Sequence, residues 1–172
     1  LQLPEKPGFE RTIVREPVGV VFVISAWNYP LLVTVNSVIP ALLAGNTVLL
    51  KHSSQTPAIG QHFEKAFRNM AGFKDLLQQI IIDHSTTGKI IEELSVQHVV
   101  FTGSVNGGHK ILEHTAKKFM QPQLELGGKD AAYVAEDADI EAAAAIVVDG
   151  AMFNSGQSCC CIERAYVHRK VY

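Results

Sequence analysis

Between Glu16 and Lys51 the chain carries no charged side chain. A stretch of that length must be buried, in a bilayer or in a protein core. A bilayer-spanning helix needs about 20 consecutive, mainly apolar residues. Here Asn28, Pro30, Asn36, Pro40, Gly45 and Asn46 break the run into shorter pieces. Gly19 to Ser25 is a β-branched run suited to a buried parallel strand. Trp27 to Pro30 turns the chain, and Leu31 to Ala44 reads as an apolar helix closed by Gly45-Asn46. Pro40 lies inside that helix and should distort it. Thr47 to Lys51 returns as a second strand. The segment is therefore expected to be the start of a doubly covered sheet, with no membrane span.

The same alternation continues. Thr56-Pro57 reads as an N-cap and first turn of a helix running to about Met70. Ile80 to Ile82 is expected as a strand, Thr86 to Leu94 as a helix, and His98 to Thr102 as a strand. A helix over about Asn106 to Phe119 follows. Gln123 to Leu126 and Ala132 to Val134 are short extended pieces, Ile140 to Phe153 is an Ala-rich helix, and Glu163 to Val167 is a last strand. Arg11 to Glu16 also reads as a strand. Strands alternating with helices predict an α/β fold with a mostly parallel, Rossmann-like sheet and flanking helices. In such folds ligands gather at the carboxyl ends of the strands.

At 172 residues the chain is long enough for a real core, and 47% of it is hydrophobic. A formal net charge of -2 offers nothing to nucleic acid or an anionic surface, so neither is expected as a partner. The chain opens on Leu1 with no signal or transit pattern. It reads as an excised piece, and a cytoplasmic location is expected, with an organelle left open. The cysteines are consecutive, Cys159, Cys160 and Cys161, which is neither a disulfide framework nor a metal spacing. The histidines show no metal spacing either, so no metal site is expected. They read as surface or packing residues, with His52 the one near the proposed site.

Residues able to do chemistry cluster at the predicted strand ends. Cys159 follows Gly156-Gln157-Ser158 at an element junction and is a nucleophile candidate; a lone cysteine is otherwise a small buried hydrophobe. Glu125 precedes Gly127-Gly128, where backbone can approach closely; otherwise it is a strand-end carboxylate. Asn28 is by default a turn residue and Lys51 a solvated charge. Gly103-Ser104-Val105-Asn106-Gly107-Gly108 opens a helix and could turn its N–H groups to a phosphate. It is not the G-x-G-x-x-G fingerprint, and a plain strand-to-helix turn explains it equally.

Six segments in order resemble the aldehyde dehydrogenase superfamily. They are Glu16-Pro17-Val18-Gly19, Trp27-Asn28-Tyr29-Pro30, the run from Pro40 to Asn46, Phe101-Thr102-Gly103-Ser104, Glu125 to Lys129, and Gly156-Gln157-Ser158-Cys159. The resemblance implies Cys159 as nucleophile and Asn28 as side-chain donor of the oxyanion hole, beside the Cys159 backbone N–H. It implies Glu125 as the base that activates water to hydrolyse a thioester. Relatives that pass the acyl group to coenzyme A generally lack that carboxylate. NAD or NADP would lie across Trp27, Lys51, Ser54, Gly103, Ser104, Leu126 and Gly127. NAD-preferring relatives often carry a glutamate where Ser54 stands, so NADP is expected to be accepted.

The resemblance further implies three segments. Residues 1–16 would be an extended oligomerisation hairpin, 17–154 a cofactor-binding domain, and 155–172 the start of a second, catalytic α/β domain. The stretch Ile82-Asp83-His84-Ser85 replaces a Gly/Pro-rich loop of relatives. The implied partners are a small aldehyde and further copies of the chain, as homodimer or homotetramer. Two alternatives stand beside oxidation to the acid: an acylating, coenzyme A-dependent dehydrogenase, and a non-catalytic binding or thiol-sensing protein on the same fold.

Overall fold

The computed structural model describes Pro4, residues 7–70 and residues 72–172. Its centre is a parallel sheet in the order β3-β2-β1-β4-β5. The strands are β1 (Val20–Ile24), β2 (Thr47–Lys51), β3 (Leu77–Ile80), β4 (His98–Gly103) and β5 (Gln123–Leu126). Helices α1 (Leu32–Leu43), α2 (Pro57–Arg68), α3 (His84–Glu93) and α4 (Val105–Ala116) form the connections.

Strand side chains alternate between faces, and β1 shows the consequence. Val21 and Val23 join Val38, Val48, Leu50 and Leu77 in one core, with Phe63 and Phe67 packed against it. Phe22 and Ile24 join Ile91, Val99 and Ile111 in the other. Both faces of the central strand are thus covered, which is why the run is apolar throughout rather than alternating. The amino ends are tied by side chains: Asn46 Oδ1 accepts from the N–H groups of Val18 and Gly19 at 2.7 and 3.0 Å, and Gln97 Oε1 from Val20 at 2.7 Å.

A second, two-stranded parallel sheet joins β6 (Asp130–Val134) to β7 (Ile162–Val167), with α5 (Ile140–Met152) between them in sequence. Residues 130–134, grouped by sequence with the first unit, therefore pair with the segment beyond 155. Among the described residues no helix is long and apolar enough to cross a membrane.

Several expected elements differ. Arg11 to Glu16 forms no strand and pairs with none of the described strands, and residues 1–3, 5 and 6 of the expected hairpin lie outside the described residues. The third strand is Leu77–Ile80, not Ile80 to Ile82: Leu77 pairs with Val48 and is fully buried, whereas Ile81 is exposed. Helix α4 stops at Ala116, before a left-handed Phe119 (φ 52) reverses the chain. Helix α1 runs unbroken through Pro40.

Candidate active site

Parallel register brings the expected functional segments to one edge of the sheet. Ile24 pairs with Lys51 and with Phe101, and Thr102 with Glu125, so the carboxyl ends of β1, β2, β4 and β5 are level. The turn Trp27 to Pro30 leaves β1, residues 52–56 leave β2, Ser104 leaves β4, and Gly127-Gly128 leaves β5. Ser104 N-caps α4, its Oγ accepting from the Gly107 N–H at 3.0 Å. The glycines here serve close packing. A Cβ on Gly103 or Gly107 would lie 2.6 Å from the Phe101 ring, and one on Gly108 would lie 2.9 Å from Leu126. Leu126 is half-buried against that first helical turn, while Gly127 is exposed.

The cysteine loop arrives from α5. Asn154, Ser155 and Gly156 all take left-handed backbone (φ 52, 58 and 73). Asn and Gly tolerate this, but a non-glycine residue such as Ser155 is held there at a cost of about 1–2 kcal/mol. The turn is fixed to the β1 turn by amides. Asn28 Nδ2 donates to the Gln157 carbonyl at 3.0 Å, and Asn154 Nδ2 to the carbonyls of Asn28 and Gln157 at 3.2 and 3.3 Å. The rings of Tyr29 and Phe153 stack with centroids 6.5 Å apart. Cys159 is exposed beyond this clasp, and a Cβ on Gly128 would sit 3.9 Å from the Cys159 carbonyl. The loop carrying Gly128 is held in turn by Arg164, whose Nε and Nη2 donate to the Lys129 carbonyl at 3.1 and 2.7 Å, and by the Lys129–Glu163 ion pair.

The structure thus brings Cys159, Glu125 and Asn28 to one place. Partial burial pushes the Cys159 thiol up from its ordinary range; the neighbouring Cys160 adds to this, its own backbone N–H opposes it, and the Glu125 charge contributes last. These influences together favour the thiol over the thiolate. Glu125 is exposed and close enough for its charge to be felt at the sulfur. Asn28 already uses one amide N–H on Gln157, leaving the other for a substrate oxygen. Cys160 lies 3.3 Å from Ser158 Oγ and is exposed; Cys161 is buried in packing.

Around β2 the structure departs from expectation. Lys51 is not a solvated charge but only 5% exposed. Burial lowers its pKa, and the opposite charge of Asp83 offsets part of that. Among the described residues it has no ion pair within 4 Å. Asp83, in the stretch noted for replacing a Gly/Pro-rich loop, caps α3 by accepting from the Thr86 N–H at 2.7 Å. Ser54 is exposed and uncharged, and Trp27 is 40% exposed. Thr56 stands at the N-cap of α2 but makes no capping bond, its hydroxyl facing His52 Nδ1 at 3.0 Å instead. Among the described residues no group of three His, Cys, Asp or Glu is placed to hold a metal.

Sequence reasoning missed Asn154, Gln157 and Arg164. The triplet Asn154-Ser155-Gly156 of turn-forming residues was the available signal for the first; Arg164 had none, because its partner is a backbone carbonyl 35 positions away.

Comparison with known proteins shows the family and the fold. A family model described as "Aldehyde dehydrogenase family" matches residues 2–172. The 3,6-anhydro-alpha-L-galactose dehydrogenase of Streptomyces coelicolor is 38% identical over 172 residues, which cover 99% of this chain and 35% of that protein. The D-glyceraldehyde dehydrogenase (NADP(+)) of Picrophilus torridus is 39% identical over 159 residues, 92% of this chain and 32% of its own. The solved structure of succinic semialdehyde dehydrogenase from Streptococcus pyogenes, in complex with NADP+ as the cofactor, superposes with a TM-score of 0.83 at 29% identity, covering 88% of this chain and 33% of that one. The chain therefore spans about a third of the length of the relatives it matches.

Proposed function

The chain belongs to the aldehyde dehydrogenase family, and on that premise we propose that the intact protein oxidises an aldehyde to a carboxylic acid with NAD or NADP. The observation that carries this reading is the meeting of an exposed Cys159, the Glu125 carboxylate and the Asn28 amide at the carboxyl edge of the sheet. The residues present fit a dinucleotide. Lys51 is a buried cation without an ion-pair partner among the described residues, suited to ribose or phosphate oxygens. Ser104 and the first turn of α4 suit a pyrophosphate, with Trp27, Gly103, Leu126 and Gly127 lining the same edge. The dinucleotide, when bound, supplies the hydride acceptor.

Cys159 loses its proton to solvent, and the sulfur then bonds to the aldehyde carbon. The carbonyl oxygen becomes an oxyanion, held by the free Asn28 N–H and the Cys159 backbone N–H; loss of one such donor typically costs about 10²–10³ in rate. Departure of hydride from that carbon leaves a thioester on Cys159. Glu125 then accepts a proton from water; the water oxygen bonds to the acyl carbon, the C–S bond breaks, and the acid leaves with the sulfur reprotonated. A carboxylate at this position favours hydrolysis over transfer to coenzyme A. Thiol sensing has less support, since Cys161 is buried and leaves at most two of the thiols accessible.

Ser54 puts no negative charge beside Lys51, so NADP is accepted. We also propose that the protein assembles as a dimer or tetramer, that residues 17–129 bind the dinucleotide, and that the catalytic domain begins near Asp130. The test is a panel of aldehydes with both dinucleotides, products being assayed with and without coenzyme A. Acid formed without coenzyme A, and kcat/KM for NADP at least comparable to that for NAD, are expected. Strong exclusion of NADP would refute the reading of Ser54, and a thioester product would refute hydrolysis.

A further inference from the structure

His52 is buried at the carboxyl edge of the sheet, where a side chain of its size could have been replaced by apolar packing. Both ring nitrogens are engaged. Nδ1 accepts from the Ser53 backbone N–H at 3.0 Å and lies 3.0 Å from the Thr56 hydroxyl. Nε2 lies 3.0 Å from the Pro30 carbonyl and 3.1 Å from Thr34 Oγ1. Ser53 N–H can only donate and Pro30 C=O can only accept. The proton is therefore on Nε2, and the ring is neutral. Thr34 Oγ1 extends the network to Ser25 Oγ and to Pro30 O, both at 2.8 Å. One imidazole thus joins the end of β1, the turn before α1, α1 itself and the loop that opens α2. That loop carries Ser54 and follows Lys51 directly; the turn carries Trp27 and Asn28.

Buried polar groups cost stability unless fully paired, and what they add is a fixed geometry. We propose that His52 is a positioning residue for the dinucleotide, clamping the loop that presents Lys51 and Ser54 to the turn that presents Trp27 and Asn28. This rests on the reading of the site as a dinucleotide site. The clamp also carries a sign. Protonation would set an Nδ1–H against the Ser53 N–H and break the loop side. Burial already lowers the pKa from 6.5, the Pro30 carbonyl opposes this, and Lys51 adds to it. From β2, Lys51 is the charged group felt at the ring, and Asp83 before α3 faces Lys51. From β1, α1 and the α2 loop come only the hydroxyls and carbonyl already named.

The experiment compares the unmodified intact protein with His52→Leu and His52→Gln. Dinucleotide Kd is measured without aldehyde, and dinucleotide KM and kcat with it, at pH 8 and across acid pH. His52→Leu keeps its melting temperature within a few degrees, raises Kd and KM about tenfold, and lowers kcat less than threefold. His52→Gln, whose amide can still donate to Pro30, recovers part of the affinity. Kd of the unmodified protein rises below pH 6.5, and that rise is absent in His52→Leu. Unchanged Kd in a folded His52→Leu protein would overturn the proposal. If that variant does not fold, a flat acid profile in the unmodified protein would overturn it. Failure of the unmodified protein to bind either dinucleotide at all would instead remove the enzymatic reading, and this inference with it.

Discussion

Cys159 is exposed enough to be reached, yet partial burial and the Cys160 and Glu125 neighbours hold it as a thiol. Reactivity of a cysteine follows its thiolate fraction. Alkylation of Cys159 by iodoacetamide in the intact protein should therefore have its pH midpoint above the ordinary thiol value of 9.0. Removing the Glu125 charge should lower that midpoint, so Glu125→Gln alkylates faster than the unmodified protein at pH 8. A midpoint below 9.0, or no response to Glu125→Gln, would mean that the carboxylate does not act on the sulfur. Cys159 and Glu125 could be singled out in the sequence because each sits in a local motif. The state of the thiol was not, because it is set by segments distant in the chain. Lys51 is the same case: its strand-end position was legible, but its burial is set by segments distant in the chain, among them β3, where Ile80 pairs with it.

The α3–α4 pair illustrates packing that no local pattern announces. Glu92 accepts from His114 Nδ1 at 2.5 Å and from Lys117 Nζ at 2.6 Å, which holds its own pKa below the usual carboxylate range. The His114 ring lies over Gly88, and a Cβ there would fall inside the ring's van der Waals shell. Gly88→Ala must push His114 off Glu92, an overpacking cost of about 1–3 kcal/mol. The better helix propensity of Ala returns up to about 1 kcal/mol. Thermal unfolding of the intact protein should show Gly88→Ala as destabilising alone and as neutral or stabilising in a His114→Ala background. Equal effects in both backgrounds would show that the ring is not the obstacle. Strands β1, β2 and β4 were readable from β-branched runs. β3 was misplaced because its register depends on Leu77 meeting Val48, a pairing outside its own four residues. Arg11 to Glu16 reads as a strand by sequence but pairs with none of the described strands.

Among the described residues, two helices carry several exposed apolar side chains. Leu31, Leu32 and Leu43 at α1, and Ile146, Val148 and Met152 on α5, are each more than half exposed. Contiguous exposed apolar patches promote association. The 172-residue chain expressed alone should bind a hydrophobic dye, associate in a concentration-dependent way, and turn over aldehyde poorly, because positioning contributes several kcal/mol to catalysis. A monomeric, dye-silent and fully active preparation would contradict this. The parallel sheet was legible in the sequence, because its strands and helices are repeated local signals. It did not reveal that β6 pairs with β7, which joins residues about 30 positions apart. The most direct test uses the intact Glu125→Gln protein, mixed with an aldehyde and NADP and digested for mass spectrometry. An acyl group is expected on Cys159 that accumulates only when the dinucleotide is present and is discharged in the unmodified protein. An unmodified Cys159, or an acyl group on Cys160 instead, would contradict it.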